Sequence, residues 1–318
     1  REKGELFVTD GNNVSVVNDS TNTVESTISI GNGPAGLAYD DAKGEIFVSR
    51  SNCPLYYPCG EGSVSVISDR TDKVVATVPV VVGTPGAVAY DSGKGEIYVA
   101  DSGIPVNIEG DRGSANLTVI NDTSNKVVTS IPLNGSIAAG GIPGDIVYDP
   151  GKGELFVTAL GGPTGYQEIV DVINDTTNGV AAPIVPGESG LNLDYPGEAA
   201  YDAAQGEIWI AQSVEDSVAA INDTTDQVVA SVSVGCPYPY SGSGPCAYVL
   251  GVAYDDANGL VFVADSYTLA TNVTVVSSTT NGVVGNVVVG ANSNLLVYDS
   301  GQNEVFGTTL GGVVVISG

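Results

Sequence analysis

Seven short runs along the chain repeat one order of polar and apolar positions. Each opens on a polar pair, then gives an aliphatic residue, an aromatic residue and a small or β-branched residue. Five are close copies: Gly4-Glu5-Leu6-Phe7, Gly44-Glu45-Ile46-Phe47, Gly95-Glu96-Ile97-Tyr98, Gly153-Glu154-Leu155-Phe156 and Gly206-Glu207-Ile208-Trp209. Two are looser: Gly259-Leu260-Val261-Phe262 and Asn303-Glu304-Val305-Phe306. All five Phe and the single Trp occupy the aromatic position. The intervals between these aromatic residues are 40, 51, 58, 53, 53 and 44 residues. A pattern this regular is a structural repeat with connections of variable length, and its period fits four-stranded blades of roughly 40–50 residues.

Each repeat holds four strand-like segments. The first ends in Tyr-Asp, at Tyr39-Asp40, Tyr90-Asp91, Tyr148-Asp149, Tyr201-Asp202, Tyr254-Asp255 and Tyr298-Asp299. The second is the aromatic run. The third is rich in Val and Ile and usually ends in Asn-Asp, as in Leu117-Thr118-Val119-Ile120-Asn121-Asp122. The fourth is β-branched, as in Lys73-Val74-Val75-Ala76-Thr77-Val78. β-branched and aromatic segments divided by Asn, Asp and Gly read as strands and hairpins. Asn178-Gly179 and Asn281-Gly282 are the strongest hairpin signals. The predicted fold is all-β: a seven-bladed β-propeller of four-stranded antiparallel blades. It forms one domain over 1–318, with blades starting near 1, 34, 85, 143, 196, 249 and 292.

The connections fall into two classes. Those between strands one and two, and between three and four, are short and uniform. The variable inserts follow strand two, at 50–61, 102–115, 161–166 and 266–271, or strand four, at 134–142, 187–195 and 235–249. In an up-and-down sheet both insert classes leave by the same end of the strands. One face of the propeller is therefore expected to be short-looped and the other to carry every insert. The terminal blades are expected to be incomplete. The pattern enters after a strand one and ends after a strand three, giving 26 strands where seven full blades need 28. The expected reading is that the sequence is part of a longer protein; the alternative is that another chain supplies the strands, since open sheet edges attract partners. Arg1 is not a start Met, which points to a processed or trimmed chain.

Composition narrows the function. With 10 basic against 37 acidic residues, the net charge is −27. Phosphate backbones are held by clustered Lys and Arg, so nucleic acid is excluded as an expected partner. No run approaches the ~18 apolar residues of a membrane helix, so no membrane span is expected. Only 15% of residues are charged, against about 25% for ordinary soluble chains, which suits a neutral-polar wall or surface protein. Four Cys form two close pairs, Cys53 with Cys59 and Cys236 with Cys246. Their spacing is wrong for a zinc site and the chain has no His, so disulfides in an oxidising compartment are expected. Eight Asn-x-Ser/Thr triplets, at Asn13, Asn18, Asn116, Asn121, Asn134, Asn174, Asn222 and Asn272, are glycosylation acceptors and also good turn chemistry.

The aromatic runs resemble the YVTN-type β-propellers of archaeal surface-layer proteins. The words are Phe7-Val8-Thr9-Asp10, Tyr98-Val99-Ala100-Asp101, Phe156-Val157-Thr158-Ala159 and Phe262-Val263-Ala264-Asp265. The Val-rich third and fourth strands match too, and the likeness spans the chain. Asp often replaces the family's Asn, which leaves the turn chemistry intact. The resemblance implies an extracellular, non-catalytic component of the cell surface, whose partners are copies of itself or other surface proteins and glycans. Related propellers include lactonases and lyases.

Without His there is no Ser-His-Asp triad, no His-ligated metal and no His general base. One carboxylate pair stands out. Asp145 and Glu198 sit three residues before the strand-one Tyr, where other repeats have Gly36, Ala87, Gly251 or Leu295. They are expected to line a central channel, either as a hydrated acidic wall or as a site for Ca²⁺ or acid/base chemistry. No cofactor besides such a Ca²⁺ is expected. The repeated Glu5, Glu45, Glu96, Glu154, Glu207 and Glu304 are expected to be solvated strand starters. Tyr56, Tyr57, Tyr238 and Tyr240 in the Cys segments are interface candidates, since Tyr joins apolar area to a polar tip. The reading that emerges is a structural subunit of a surface layer or filament. The alternatives are a carbohydrate-binding adhesion module and a lactonase- or lyase-like enzyme.

Overall fold

The computed structural model describes residues 4–51, 62–80, 84–102, 115–133, 142–161, 167–184, 196–212, 216–234, 248–267, 270–290, 295–309 and 312–317. Among these the chain forms 26 β-strands and a seven-bladed β-propeller. Blade 1 holds β1 (Glu5–Asp10), β2 (Asn13–Asn18) and β3 (Thr23–Ser29). Blade 2 holds β4 (Pro34–Asp40), β5 (Glu45–Arg50), β6 (Gly62–Ser68) and β7 (Lys73–Val80). Blade 3 holds β8 (Pro85–Asp91), β9 (Glu96–Asp101), β10 (Asn116–Asn121) and β11 (Lys126–Pro132). Blade 4 holds β12 (Ile142–Asp149), β13 (Glu154–Gly161), β14 (Gln167–Asn174) and β15 (Gly179–Ile184). Blade 5 holds β16 (Pro196–Asp202), β17 (Glu207–Gln212), β18 (Ser217–Asn222) and β19 (Gln227–Ser233). Blade 6 holds β20 (Tyr248–Asp255), β21 (Leu260–Tyr267), β22 (Ala270–Ser277) and β23 (Gly282–Gly290). Blade 7 holds β24 (Leu296–Asp299), β25 (Glu304–Thr309) and β26 (Gly312–Ser317). Strands lie in chain order within each antiparallel sheet, and the two terminal blades have three strands, as the strand count predicts.

The chain divides into two compact units, Arg1–Gly165 with Asp171–Ala182, and Tyr166–Val170 with Pro183–Gly318. In the first, Phe47 of blade 2 is fully buried among Val64, Val66 and Val78 of its own sheet and Val88 and Val99 of blade 3. In the second, Trp209 of blade 5 packs in the same way against Val218 and Val232 and against Val252 and Val263 of blade 6. The aromatic position repeats because each ring joins its own sheet to the next. A buried ring of this size removes about 150–250 Å² from water.

A β-bulge recurs between strands three and four. Register shifts at Val16/Val17, Val66/Ile67, Val119/Ile120, Ala220/Ile221 and Val275/Val276. The extra residues on strand four are Glu25, Val75, Val128, Val229 and Val284, all exposed. The Val-Val doublets of strand four thus mark a bulge rather than a continuous buried face. A bulge increases local twist and blunts a free edge. The hairpins at 178–179 and 281–282 form, but Asn, not Gly, takes the left-handed conformation, with φ of 52° at both Asn178 and Asn281. Asn tolerates this region because its short polar side chain bonds locally.

Candidate functional site

Three repeated motifs meet at the short-turn end of blades 2, 3, 4 and 5. In blade 2, the Asp40 carboxylate accepts the main-chain N–H of Ala42 and Lys43, at 3.0 and 3.2 Å, and closes the turn between strands one and two. Gly44 leaves that turn with φ of +65°, and its carbonyl accepts the N–H of Asp69 from the turn between strands three and four. The Asp69 carboxylate lies over Gly44 and accepts the Tyr39 hydroxyl at 2.9 Å. A Cβ on Gly44 would stand 2.5 Å from that carboxylate, so any other residue must displace Asp69 as well as adopt a strained positive φ. Gly95 under Asp122, Gly153 under Asp175 and Gly206 under Asp223 repeat the arrangement. The words Tyr-Asp, Gly-Glu and Asn-Asp therefore encode one structural node.

Within the first unit this node reaches the next blade. Lys43 of blade 2 pairs with Asp122 of blade 3 at 2.5 Å and bonds Thr123 at 3.0 Å. Lys94 of blade 3 pairs with Asp175 of blade 4 at 3.3 Å. In the second unit Asn258 takes the place of lysine and bonds Asn303 of blade 7 at 3.3 Å. The strand-one tyrosines also bridge blades. Burial, and then the facing carboxyl of the preceding blade, drives the hydroxyls of Tyr90, Tyr148 and Tyr254 well above the usual phenol range. The facing groups are Asp40, Asp91 and Asp202.

The repeated strand-opening Glu departs from expectation. Glu5 is buried, and Glu45, Glu96 and Glu207 are half-buried rather than solvated. Burial raises the carboxyls of Glu45 and Glu207 above the usual range. Glu96 receives the hydroxyl of Tyr98, two residues on and on the same face of the strand, at 3.0 Å.

Asp145 and Glu198 are both committed to main-chain bonds. Asp145 accepts the N–H of Ile146 at 2.8 Å, and its own N–H donates to Thr158 at 2.8 Å. Glu198 Oε2 accepts the N–H of Val252 at 3.3 Å and of Leu296 at 3.2 Å, tying β16 to β20 and β24. Among the described residues no group of three or more His, Cys, Asp or Glu could hold a metal ion. Four of the sequon asparagines use their side-chain oxygen as turn caps: Asn18 to Thr21, Asn121 to Ser124, Asn174 to Thr177 and Asn222 to Thr225. Asn13, Asn116 and Asn272 are half-buried on strands β2, β10 and β22. Cys53, Cys59, Cys236, Cys246, Asn134 and the four candidate Tyr lie outside the described residues.

The features that distinguish the ends of the chain are the free edges of blades 1 and 7. Among the described residues β1 pairs only with β2, and β26 only with β25. On β1, Phe7 and Val8 are half-buried and Asp10 is exposed, whereas Phe47, Val48 and Asp101 at the same repeat positions are fully buried. On β26, Val313 is 36% exposed, while its counterpart Val64 on β6 is 0% exposed. Val297 on β24 is 44% exposed, against 9% for Ala38 on β4.

No protein-family model and no curated protein matches the sequence. Solved structures do match. The chain is similar to hydrazine synthase of Kuenenia stuttgartiensis, with a TM-score of 0.78 and 16% identity over 99% of this chain and 92% of that one. It is also similar to the Cps50 (Swd1) β-propeller domain of Myceliophteria thermophila, with a TM-score of 0.72 and 9% identity over 100% and 95%. At these identities the likeness defines the class of fold, a β-propeller, and nothing finer.

Proposed function

We propose that the protein is a non-enzymatic structural subunit of an extracellular cell-surface layer or filament, in which neighbouring copies cover the edges of blades 1 and 7. The observation that carries this reading is the local loss of burial on β1, β24 and β26 relative to the same positions in complete blades. A sheet edge that keeps its β-branched sequence but lacks its neighbour is a template for strand addition. Valines exposed beside such an edge add an apolar contact. The sequence words shared with archaeal surface-layer propellers point the same way. The lactonase- or lyase-like reading draws on Asp145 and Glu198, and both are engaged in main-chain hydrogen bonds. The adhesion reading draws on the Tyr-rich Cys segments, and a glycan array without hits would count against it.

The test is sedimentation and electron microscopy of the native protein over a concentration series, repeated with a synthetic peptide of the β11 sequence, Lys126–Pro132. That peptide is a strand four, and blade 7 holds strands one to three among the described residues. Ordered assemblies that shrink as the peptide is added are expected. Single particles at every concentration, with no peptide bound, would overturn the proposal.

A further inference from the structure

Among the described residues no side-chain cation stands beside Asp101, Asp171 or Asp265. Asp101, Asp171 and Asp265 are each 0% exposed. Asp101 and Asp265 end the aromatic run three residues after Tyr98 and Phe262. Asp171 comes from strand three instead. It stands where blade 3 has Thr118, and Ala159 of blade 4 stands where blade 3 has Asp101. Blades 3, 4 and 6 thus each bury one carboxyl on the same face of the sheet, at diagonal positions between strands two and three, supplied by either strand.

Their partners are few and neutral. Thr118 donates its hydroxyl to Asp101 at 2.6 Å, and the other Asp101 oxygen has no partner among the described residues. Neither Asp171 oxygen has a partner among the described residues. Asp265 accepts the N–H of Asn272 at 3.0 Å and lies 3.4 Å from the Thr274 hydroxyl. That hydroxyl also bonds Asn286 at 2.7 Å and the Val234 carbonyl at 3.0 Å. Among the described residues the only charged group acting on any of the three is the Asp216 carboxylate near Asp265, and it opposes ionisation. An ionised carboxylate stripped of water and given no cation is strongly disfavoured, so a group in this setting neutralises instead.

We propose that these three carboxyls are proton-holding core groups that make the folded chain most stable in acidic surroundings and progressively less stable towards neutral pH. Burial pushes Asp101 and Asp265 up to about 7, with Thr118 partly offsetting it at Asp101, and pushes Asp171 up to about 6. The unfolded chain titrates these groups near 3.8. For acids raised on folding, the stabilisation is complete below the unfolded value. It is lost as pH rises through the folded one, so the window runs from about 4 to about 7. The chain has no His, so no imidazole gains charge in that window to work against the carboxyls. This inference is independent of the assembly reading, because it concerns single blades.

The experiment is denaturant unfolding of the intact chain from pH 4 to pH 7.5, beside the variants D101N, D171N, D265N and the triple. Wild type is expected to lose about tenfold or more in the folding equilibrium per carboxyl across that range. The triple variant is expected to have a much flatter profile. Parallel profiles for wild type and triple would overturn the proposal. Should the triple not fold, carbon NMR of wild type labelled at the Asp carboxyl carbons decides between the same two outcomes. Three carboxyls still protonated at pH 5.5 support the proposal, and complete ionisation at that pH overturns it. Recovery of the acid stability at pH 7.5 on adding Ca²⁺ alone would also overturn it, since the carboxylates would then be cation ligands.

Discussion

Blades 2 and 1 carry the same aromatic word in two settings. In blade 2, Phe47 has a strand on each side of β5, Ala38 opposite it on β4 and Val66 opposite it on β6. In blade 1, among the described residues, Phe7 has a strand on one side only, with Val16 opposite it on β2. The first ring is fully buried and the second is half-buried. Since the local sequence is shared, the difference comes from the neighbouring strand. A blade's stability is therefore a sum over strand neighbours and blade neighbours, as in other repeat proteins. The ends of the chain are the places where that sum is short.

The comparison breaks if the two rings prove equal. Phe47→Ala removes a fully buried ring from a close-packed site and is expected to cost about 3–5 kcal/mol. Phe7→Ala removes a ring already half in water and is expected to cost about half as much in the isolated chain. Thermal melting of both variants measures this. Equal losses would mean that a strand on the second side of the ring adds nothing to its contribution. In assembled material the gap is expected to narrow, as a neighbour restores the burial that β1 lacks.

Much of this is legible without coordinates. The seven aromatic words, the 26 strands and the two short terminal blades follow from period and pattern alone, because a repeat states its own register many times. The turn node is legible only in pieces. Tyr-Asp, Gly-Glu and Asn-Asp are separate in sequence, and nothing local says that Asp69 closes over Gly44 or that Lys43 reaches Asp122. The buried carboxyls are harder still. Asp101 sits where the word allows Asn or Asp, and its sequence cannot distinguish a turn cap from a core group. Asp171 gives a fainter signal, a lone acid in a Val-Ile strand. The strand-opening Glu reads as solvated although it is not, because alternation marks which face a side chain takes, while the depth of that face depends on the next blade.

A finer comparison concerns the node in blades 2 and 6. Gly44 and Gly259 share a φ of +65°, but the Gly44 site is roofed by the Asp69 carboxylate, and the nearest side-chain atom over Gly259 is Ser278 Oγ at 3.6 Å. Gly259→Ala meets only the backbone penalty of the left-handed region, about 1–2 kcal/mol. Gly44→Ala meets that penalty and a clash with Asp69 as well. It is expected to lose clearly more, and to recover part of the loss when Asp69 is cut to Ala. Melting temperatures of the three variants decide it. Equal losses at Gly44 and Gly259 would mean the Asp69 carboxylate swings away at no cost, and the node would then be a turn without a roof.

The smallest expected difference lies in how adjacent blades are tied. Blades 2 and 3 are joined by Lys43 to Asp122, whereas blades 6 and 7 are joined by Asn258 to Asn303 without charge. Lys43 is about a third exposed, so its pair is screened and holds a long side chain in one place, which limits such contacts to about 0–1 kcal/mol. Lys43→Met keeps the aliphatic stem and removes the charge, so it isolates the ion pair. It is expected to lower stability by about 0.5 kcal/mol at low salt and by less at 1 M salt, where the Debye length is about 3 Å. Asn258→Ala should show no such salt dependence. A Lys43→Met loss that is large and insensitive to salt would mean the ammonium is held as a buried group, bonded to Thr123 and Asp122 together, and the charged ties of the first unit would then be structural bonds of a different order from the neutral tie of the second.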